Sequence, residues 1–244
     1  MIDACELWPG GPVYRQDPAV RLGTDSVLLA DFVRPGGTAR GIDLGCGAGI
    51  LSLLLLGRSE KLHMTGLELR PDAAALGREN LERNGLSGRG EILTGDIREH
   101  RSLFAPGSFD LAVANPPYFP SGSGGVSPDP ARAAARGEEN CSLSQLCAAA
   151  AYLLRTGGRF FLVHRPERLS ALFVALSAAG LEPKRLREVC PRPGAAPSLI
   201  LAEGLRGGKP GLVIEPPLTL TDAEGRESGE VRRIYRRENE GMKK

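Results

Sequence analysis

Asn115-Pro116-Pro117-Tyr118 closes an apolar run, Phe109–Ala114. The four residue types suit one task. An amino group conjugated to a π-system, as on adenine or a carboxamide, is a poor nucleophile because its lone pair is delocalised. Acceptors that take both of its N–H protons return electron density to nitrogen. The Asn115 side-chain carbonyl is one such acceptor. The Pro116 carbonyl is a natural second, since Pro117 holds the preceding residue extended. Attack then needs no strong base, because the proton can leave afterwards. Tyr118 adds a π-face for a planar substrate, worth roughly 1–3 kcal/mol per stacked base. Without a neighbouring cofactor site the same segment is a Pro-Pro turn with a core tyrosine.

A second group lies upstream. Asp43-x-Gly45-x-Gly47-x-Gly49 follows a short apolar run, Ala39–Asp43, and opens the run Ile50–Leu56. This is a strand, a glycine turn and a helix. The dinucleotide fingerprint requires G-x-G-x-x-G; here the spacing is G-x-G-x-G and position 50 is Ile. S-adenosylmethionine carries no phosphate and needs only room across the turn, which small residues give. Glu68 ends the next strand, where it can accept both ribose hydroxyls. Asp96 follows the third strand, where it can meet the adenine amino group. Read blandly, these are helix-capping acids on a tight connection; three acids at three successive strand ends favour the cofactor. Cys46, inside the turn, reads as a small filler rather than a nucleophile.

The elements that must position these groups alternate. Strands are expected at Ala39–Asp43, Leu62–Glu68, Glu91–Leu93, Phe109–Ala114, Phe160–Val163, Arg185–Cys190 and Ser198–Glu203. Helices are expected over Ile50–Leu56, Asp72–Asn84 after Pro71, Ser142–Leu154 with a Ser N-cap, and Pro166–Ala179. The pattern predicts an α/β fold: a doubly wound, mostly parallel seven-stranded sheet ending in an antiparallel hairpin at its edge. Ser121–Asn140, rich in Gly, Pro and Ser, is long for a structureless connection and reads as a functional loop. The tail, Glu230–Lys244, is highly charged and expected to fray.

Composition narrows the classes. With 41% hydrophobic and 25% charged residues over 244 positions, wholesale disorder is excluded. Five scattered cysteines, with no C-x-x-C pair and no histidine at ligand spacing, argue against zinc and for a reducing, cytoplasmic setting. No signal peptide is visible, and the longest apolar run is too short for a bilayer. No membrane or metal partner is expected. Net charge is +2, but residues 153–244 hold 17 Lys and Arg against 11 Asp and Glu. Lys184, Arg185, Arg187 and Arg192 could form a phosphate-binding stripe, and His164 and Arg165 could reach an RNA backbone. As a solvated sheet edge, the stripe needs no ligand.

These features together resemble the class I S-adenosylmethionine-dependent methyltransferases of the N-P-P-Y, amino-methylating group, whose fold is Rossmann-like. The chain is more specifically similar to the bacterial tRNA(Val) adenine-N6-methyltransferase family. The residues carrying that likeness are Leu22–Leu29, Asn115–Phe119 with Ser121–Gly124, Val163–Leu169, and Gly204 with Arg206–Gly211. The resemblance implies a tRNA substrate, methylated on the adenine 3′ of the anticodon and flipped into the pocket. It implies S-adenosylmethionine as donor and S-adenosylhomocysteine as product. It assigns the cofactor to Thr24, Asp25, Asp43, Gly45, Cys46, Gly47, Gly49, Glu68, Leu69, Asp96, Ile97 and Asn115, and catalysis to Asn115, Pro116, Pro117 and Tyr118, with Phe119 against the base. Related loops often carry a His where this chain has Gly137. The implied organisation is a segment 1–38 over the cofactor, a transfer domain 39–210 with a substrate loop 119–140, and an extension 211–244. The sequence leaves monomer and homodimer open.

Three rivals share parts of this pattern. A protein-glutamine methyltransferase poses the same hydrogen-bonding problem, but enzymes of that kind carry an N-terminal helical domain, and only about forty residues precede the first strand here. A guanine-N2 RNA methyltransferase fits Asn-Pro-Pro alone. A non-catalytic module that binds cofactor and RNA would not require Asn115. A DNA adenine methyltransferase would need a target-recognition domain, and none is evident.

Overall fold

A computed structural model describes residues 3–16, 23–36, 39–116 and 141–237. Pro117, Tyr118, Phe119, the Ser121–Asn140 loop and the last residues of the tail lie outside the described residues. The chain opens with an antiparallel hairpin, β1 (Asp3–Glu6) and β2 (Val13–Gln16), followed by α1 (Thr24–Phe32). The alternating unit then runs β3 (Ala39–Leu44), α2 (Ile50–Leu56), β4 (Leu62–Glu68), α3 (Pro71–Arg83), β5 (Gly90–Thr94), the short α4 (His100–Leu103) and β6 (Phe109–Ala114). After the undescribed loop come α5 (Leu143–Leu153), β7 (Leu154–His164), α6 (Leu169–Ala178), β8 (Leu181–Cys190), β9 (Leu199–Arg206), β10 (Val213–Thr219) and α7 (Gly229–Ile234).

Eight strands form one sheet in the order β10-β8-β9-β7-β6-β3-β4-β5, and all pair in parallel except β9 against β7 and β8. Parallel strands must be covered on both faces, which is why they read as continuous apolar runs. On one face α1, α2, α3 and α7 contribute to a core around Leu28, Leu53, Leu54, Phe161 and Val163. On the other, α5 and α6 pack on Ile42, Phe160, Leu162 and Ile200. The capping box at Ser142 and Gln145 starts α5 where the Ser N-cap was expected.

One expectation is corrected. The β8–β9 hairpin is not at the sheet edge and the sheet has eight strands, not seven, because β10 pairs in parallel with β8 from Val213↔Arg185 to Thr219↔Cys190. Pro216-Pro217 hides this strand in the sequence, since proline reads as a strand breaker. An edge strand with a bulge tolerates it, and the register shifts between Glu215 and Leu218. The β1–β2 hairpin and α1 were likewise not foreseen as elements. The hairpin is held to α3 by Asn84, whose side-chain amide exchanges two 2.8 Å bonds with the Val13 backbone, and by Asn80.

Candidate active site

β3 ends at Leu44 and the chain turns through Gly45 (φ 75°) and Gly47 (φ 55°), a left-handed backbone that favours glycine. A Cβ on Gly47 would meet nothing within 4 Å, and one on Gly45 would meet only Ile97 Cδ1 at 3.9 Å. The outer side of the turn is therefore open, and Ile97 borders it. The Gly45 and Cys46 N–H groups donate to the Leu67 carbonyl of β4 (2.9 and 3.2 Å), which holds the turn against the next strand end. Asn80 of α3, fully buried, donates to the Ala48 carbonyl (3.0 Å) as well as bonding Arg15, so it ties turn, helix and hairpin together.

The three acids stand around this opening. Glu68 Oε2 accepts from Gly47 N–H (2.8 Å) and Oε1 from Arg70 N–H (3.0 Å), with half-exposed Leu69 beside it. Asp96 caps a short 3-10 turn: Oδ1 accepts from Arg98 N–H (2.8 Å), and the Arg98 guanidinium grips both oxygens. Those Arg98 bonds hold the Asp96 carboxyl below the usual range. Asp43 lies beneath the turn, 1% exposed. Ser52 Oγ donates to its Oδ2 (3.1 Å), while Oδ1 is buried without a hydrogen-bond partner. Burial pushes the Asp43 carboxyl up to about 7, Ser52 pulling it back only in part. Burial likewise raises the Cys46 thiol, so Cys46 is inert filler.

The residues fit a nucleoside-bearing cation. An open, Cβ-free cradle lies beside the Glu68 carboxylate, where a ribose is expected, and the Asp96 carboxylate, where an adenine is expected, with the unmet Asp43 acceptor below. A buried acceptor without a donor costs about 1–3 kcal/mol, which a ligand donor or a bound water would relieve.

Asn115 comes to the same rim by register. The β3–β6 ladder runs to Asp43↔Val113, and Asn115 follows just past the end of β6 as Gly45 follows just past the end of β3. Its Nδ2 donates to Ser26 Oγ (2.9 Å) on α1. Pro116 follows it, half-buried. Thr24 and Asp25 form the first turn of α1. Asp25 Oδ1 accepts from Ser26 N–H (2.9 Å), and Thr24 hydrogen-bonds the half-buried Tyr235 phenol just beyond α7.

The suggested RNA-contacting residues are placed differently. His164 is 1% exposed; its Nδ1 accepts from Arg165 N–H (2.8 Å), and burial pushes its pKa down to about 4. It is neutral at pH 7 and offers no charge to a phosphate. Arg165 donates to the Ser198 carbonyl (3.0 Å) and Lys184 to the Lys209 carbonyl (3.1 Å). Arg185 bridges Glu203 and Glu215 (2.8 Å each) and lies 4.1 Å from the Phe32 ring centroid. Arg187 grips both oxygens of Glu230 (3.0 and 2.8 Å). Arg185 is thus a mid-strand brace between fully buried Glu203 and Glu215 of β10, while Arg187 is engaged by Glu230 and the Pro216 carbonyl and Lys184 by the Lys209 carbonyl. Sequence reasoning missed Ser26, Ser52, Asn80 and Tyr235, which carry no motif of their own; only the polar Ser26 within an otherwise apolar run after Asp25 gave a signal.

Among the described residues no group of three or more His, Cys, Asp or Glu is placed to hold a metal ion, and no helix is long and apolar enough to cross a membrane.

The doubly wound sheet with its glycine turn and rim acids defines a methyltransferase, and residues 19–172 match the family model of the methyltransferase small domain. A protein from Agrobacterium tumefaciens described as a predicted O-methyltransferase shares the fold, at TM-score 0.73 and 21% identity over 87% of this chain and 96% of that one. The finer assignment comes from sequence relatives. The chain is 36% identical, over 76% of its length and 74% of the relative's, to the tRNA1(Val) (adenine(37)-N6)-methyltransferase of Porphyromonas gingivalis. It is 33% identical, over 87% and 86%, to the protein of that name from Tolumonas auensis. The chain belongs to this family of tRNA1(Val) (adenine(37)-N6)-methyltransferases.

Proposed function

We propose that this chain transfers a methyl group from S-adenosylmethionine to N6 of an adenine in tRNA, adenine 37 of tRNA1(Val) being the site that its relatives' name specifies. The observation that carries the reading is Asn115 just past the end of β6, on the side where neighbouring β3 opens into the glycine turn, with its amide nitrogen donating to Ser26. With Nδ2 donating to Ser26, Oδ1 is the end of the amide that in this reading accepts an N6–H.

Gly45, Gly47, Glu68, Asp96 and Asp43 would hold the donor, which when bound supplies an electrophilic methyl on a sulfonium centre. Asn115 Oδ1 and the Pro116 carbonyl accept the two N6–H protons and aim the nitrogen. Held so, the nitrogen would take the methyl the donor supplies, and its surplus proton would leave to water. Tyr118 or Phe119 would stack the base, and in this reading residues 1–38 cover the cofactor, 39–210 perform transfer and 211–244 extend the domain. Alignment of this kind can supply several kcal/mol, on the order of 7–11 in model systems. A cytoplasmic setting belongs to the same proposal, since that is where tRNA is modified.

The test is nucleoside mass spectrometry of unmodified tRNA treated with the protein and labelled donor. Labelled N6-methyladenosine is expected. Label in N2-methylguanosine, or in protein glutamine, would replace the reading with one of its rivals.

A further inference from the structure

Asn115 has to present an acceptor, yet its side chain carries an acceptor at one end and two donors at the other. Turned the wrong way, it would set its own N–H against the substrate's N–H. Something must therefore hold the amide plane and take up its NH2 group. Ser26 is built to do this. Its Oγ accepts from Asn115 Nδ2 at 2.9 Å, and the residue is 4% exposed. It sits on a helix whose following residues, Val27, Leu28 and Leu29, are buried in the core. The start of that helix is fixed twice: Ser26 N–H donates to Asp25 Oδ1, and the Thr24 side chain donates to the Tyr235 phenol oxygen. The hydroxyl thus stands on a rigid mount 89 residues away in sequence from the amide it meets.

We infer that Ser26 is the positioning residue for Asn115: it accepts one amide proton and so sets the carbonyl toward the substrate amine. Ser26 touches neither substrate nor donor in this scheme and acts only through Asn115. With the base in place, both ends of the amide are satisfied at once, Nδ2 by Ser26 Oγ as acceptor and Oδ1 by the N6–H it accepts. Without the hydroxyl, the Nδ2 bond to α1 is lost and the aim of the amide is loosened. The inference rests on the amino-methylating reading of the site.

The experiment compares wild type, Ser26→Ala and Ser26→Thr in steady-state methylation of tRNA, with calorimetric binding of S-adenosylhomocysteine to each full-length protein. Ser26→Ala is expected to lower kcat on the order of 10-fold while KM for tRNA and the affinity for S-adenosylhomocysteine change by less than about two-fold. Ser26→Thr, which keeps the hydroxyl, is expected to restore most of kcat. A Ser26→Ala protein with wild-type kcat would overturn the inference. So would a Thr variant as impaired as the Ala one, or a parallel loss of S-adenosylhomocysteine binding, since either would mark Ser26 as a packing residue. A wild-type protein that methylates no adenine would instead sink the underlying reading, and this inference with it.

Discussion

Glu68 owes its position to two backbone N–H groups, those of Gly47 and Arg70, so its carboxylate is anchored to the turn before any ligand arrives. Hydrogen bonds to a charged group contribute about 1.5–3 kcal/mol. Glu68→Ala is therefore expected to weaken S-adenosylmethionine binding at least roughly 10-fold in calorimetry; an unchanged affinity would remove Glu68 from the site. Asp43 gives a pH signature. Its folded value, about 7, lies above the ordinary 3.8, because burial disfavours the charge. The folded state therefore holds the proton more tightly, and the associated stability is complete below pH 3.8 and is lost as pH rises toward 7, on the order of 4 kcal/mol in all. Asp43→Asn, neutral throughout, should show a flatter pH dependence of Tm between pH 5 and 8. It should melt above the wild type at pH 8 in the absence of cofactor. Parallel melting curves for the two proteins would contradict the raised pKa.

Helices and strands aim these residues, and their legibility in sequence was uneven for physical reasons. The βαβ units from Ala39 to Ala114 were plain, because fully buried parallel strands and glycine-closed helices write themselves as apolar runs and punctuation. Three acids at strand ends could be assigned with them. Elements that depend on distant partners were not plain. β10 carries two prolines and survives only as an edge beside β8. α1 has almost no amphipathic pattern because six of its nine residues are buried. The β1–β2 hairpin is joined to α3 by Asn80 and Asn84, which in sequence look like ordinary helix polars. Asn80→Ala removes a fully buried amide with three backbone partners. With a cost of about 1–3 kcal/mol for stranding such groups, it should lower Tm by several degrees and weaken cofactor binding through the turn. Unaltered melting would show that the hairpin is not held through this residue.

At the scale of the molecule, the basic half of the chain has a structural use that composition could not reveal. Charge counts point to an RNA-facing stripe; two of its members, Arg185 and Arg187, instead join β8, β9, β10, α1 and α7, while Arg192 stays exposed. Arg185 is the centre of these contacts, 11% exposed, between fully buried Glu203 and Glu215. Arg159 also pairs with Glu203, so Arg185→Ala leaves one oxygen of that buried carboxylate without its donor and should cost about 1.5–3 kcal/mol, seen as a lower denaturation midpoint. A variant of native stability with weakened, less salt-dependent tRNA binding would return Arg185 to the RNA surface.

The central claim is that Asn115 acts on the amine and not on the cofactor. It is tested most directly by comparing methyl transfer to tRNA by the wild type and by Asn115→Ala at saturating S-adenosylmethionine, with the dissociation constant of the cofactor measured on the same preparations. The account expects transfer to fall at least about 100-fold while the dissociation constant stays within about three-fold. Transfer retained in Asn115→Ala, or lost only because cofactor binding is lost, would contradict it.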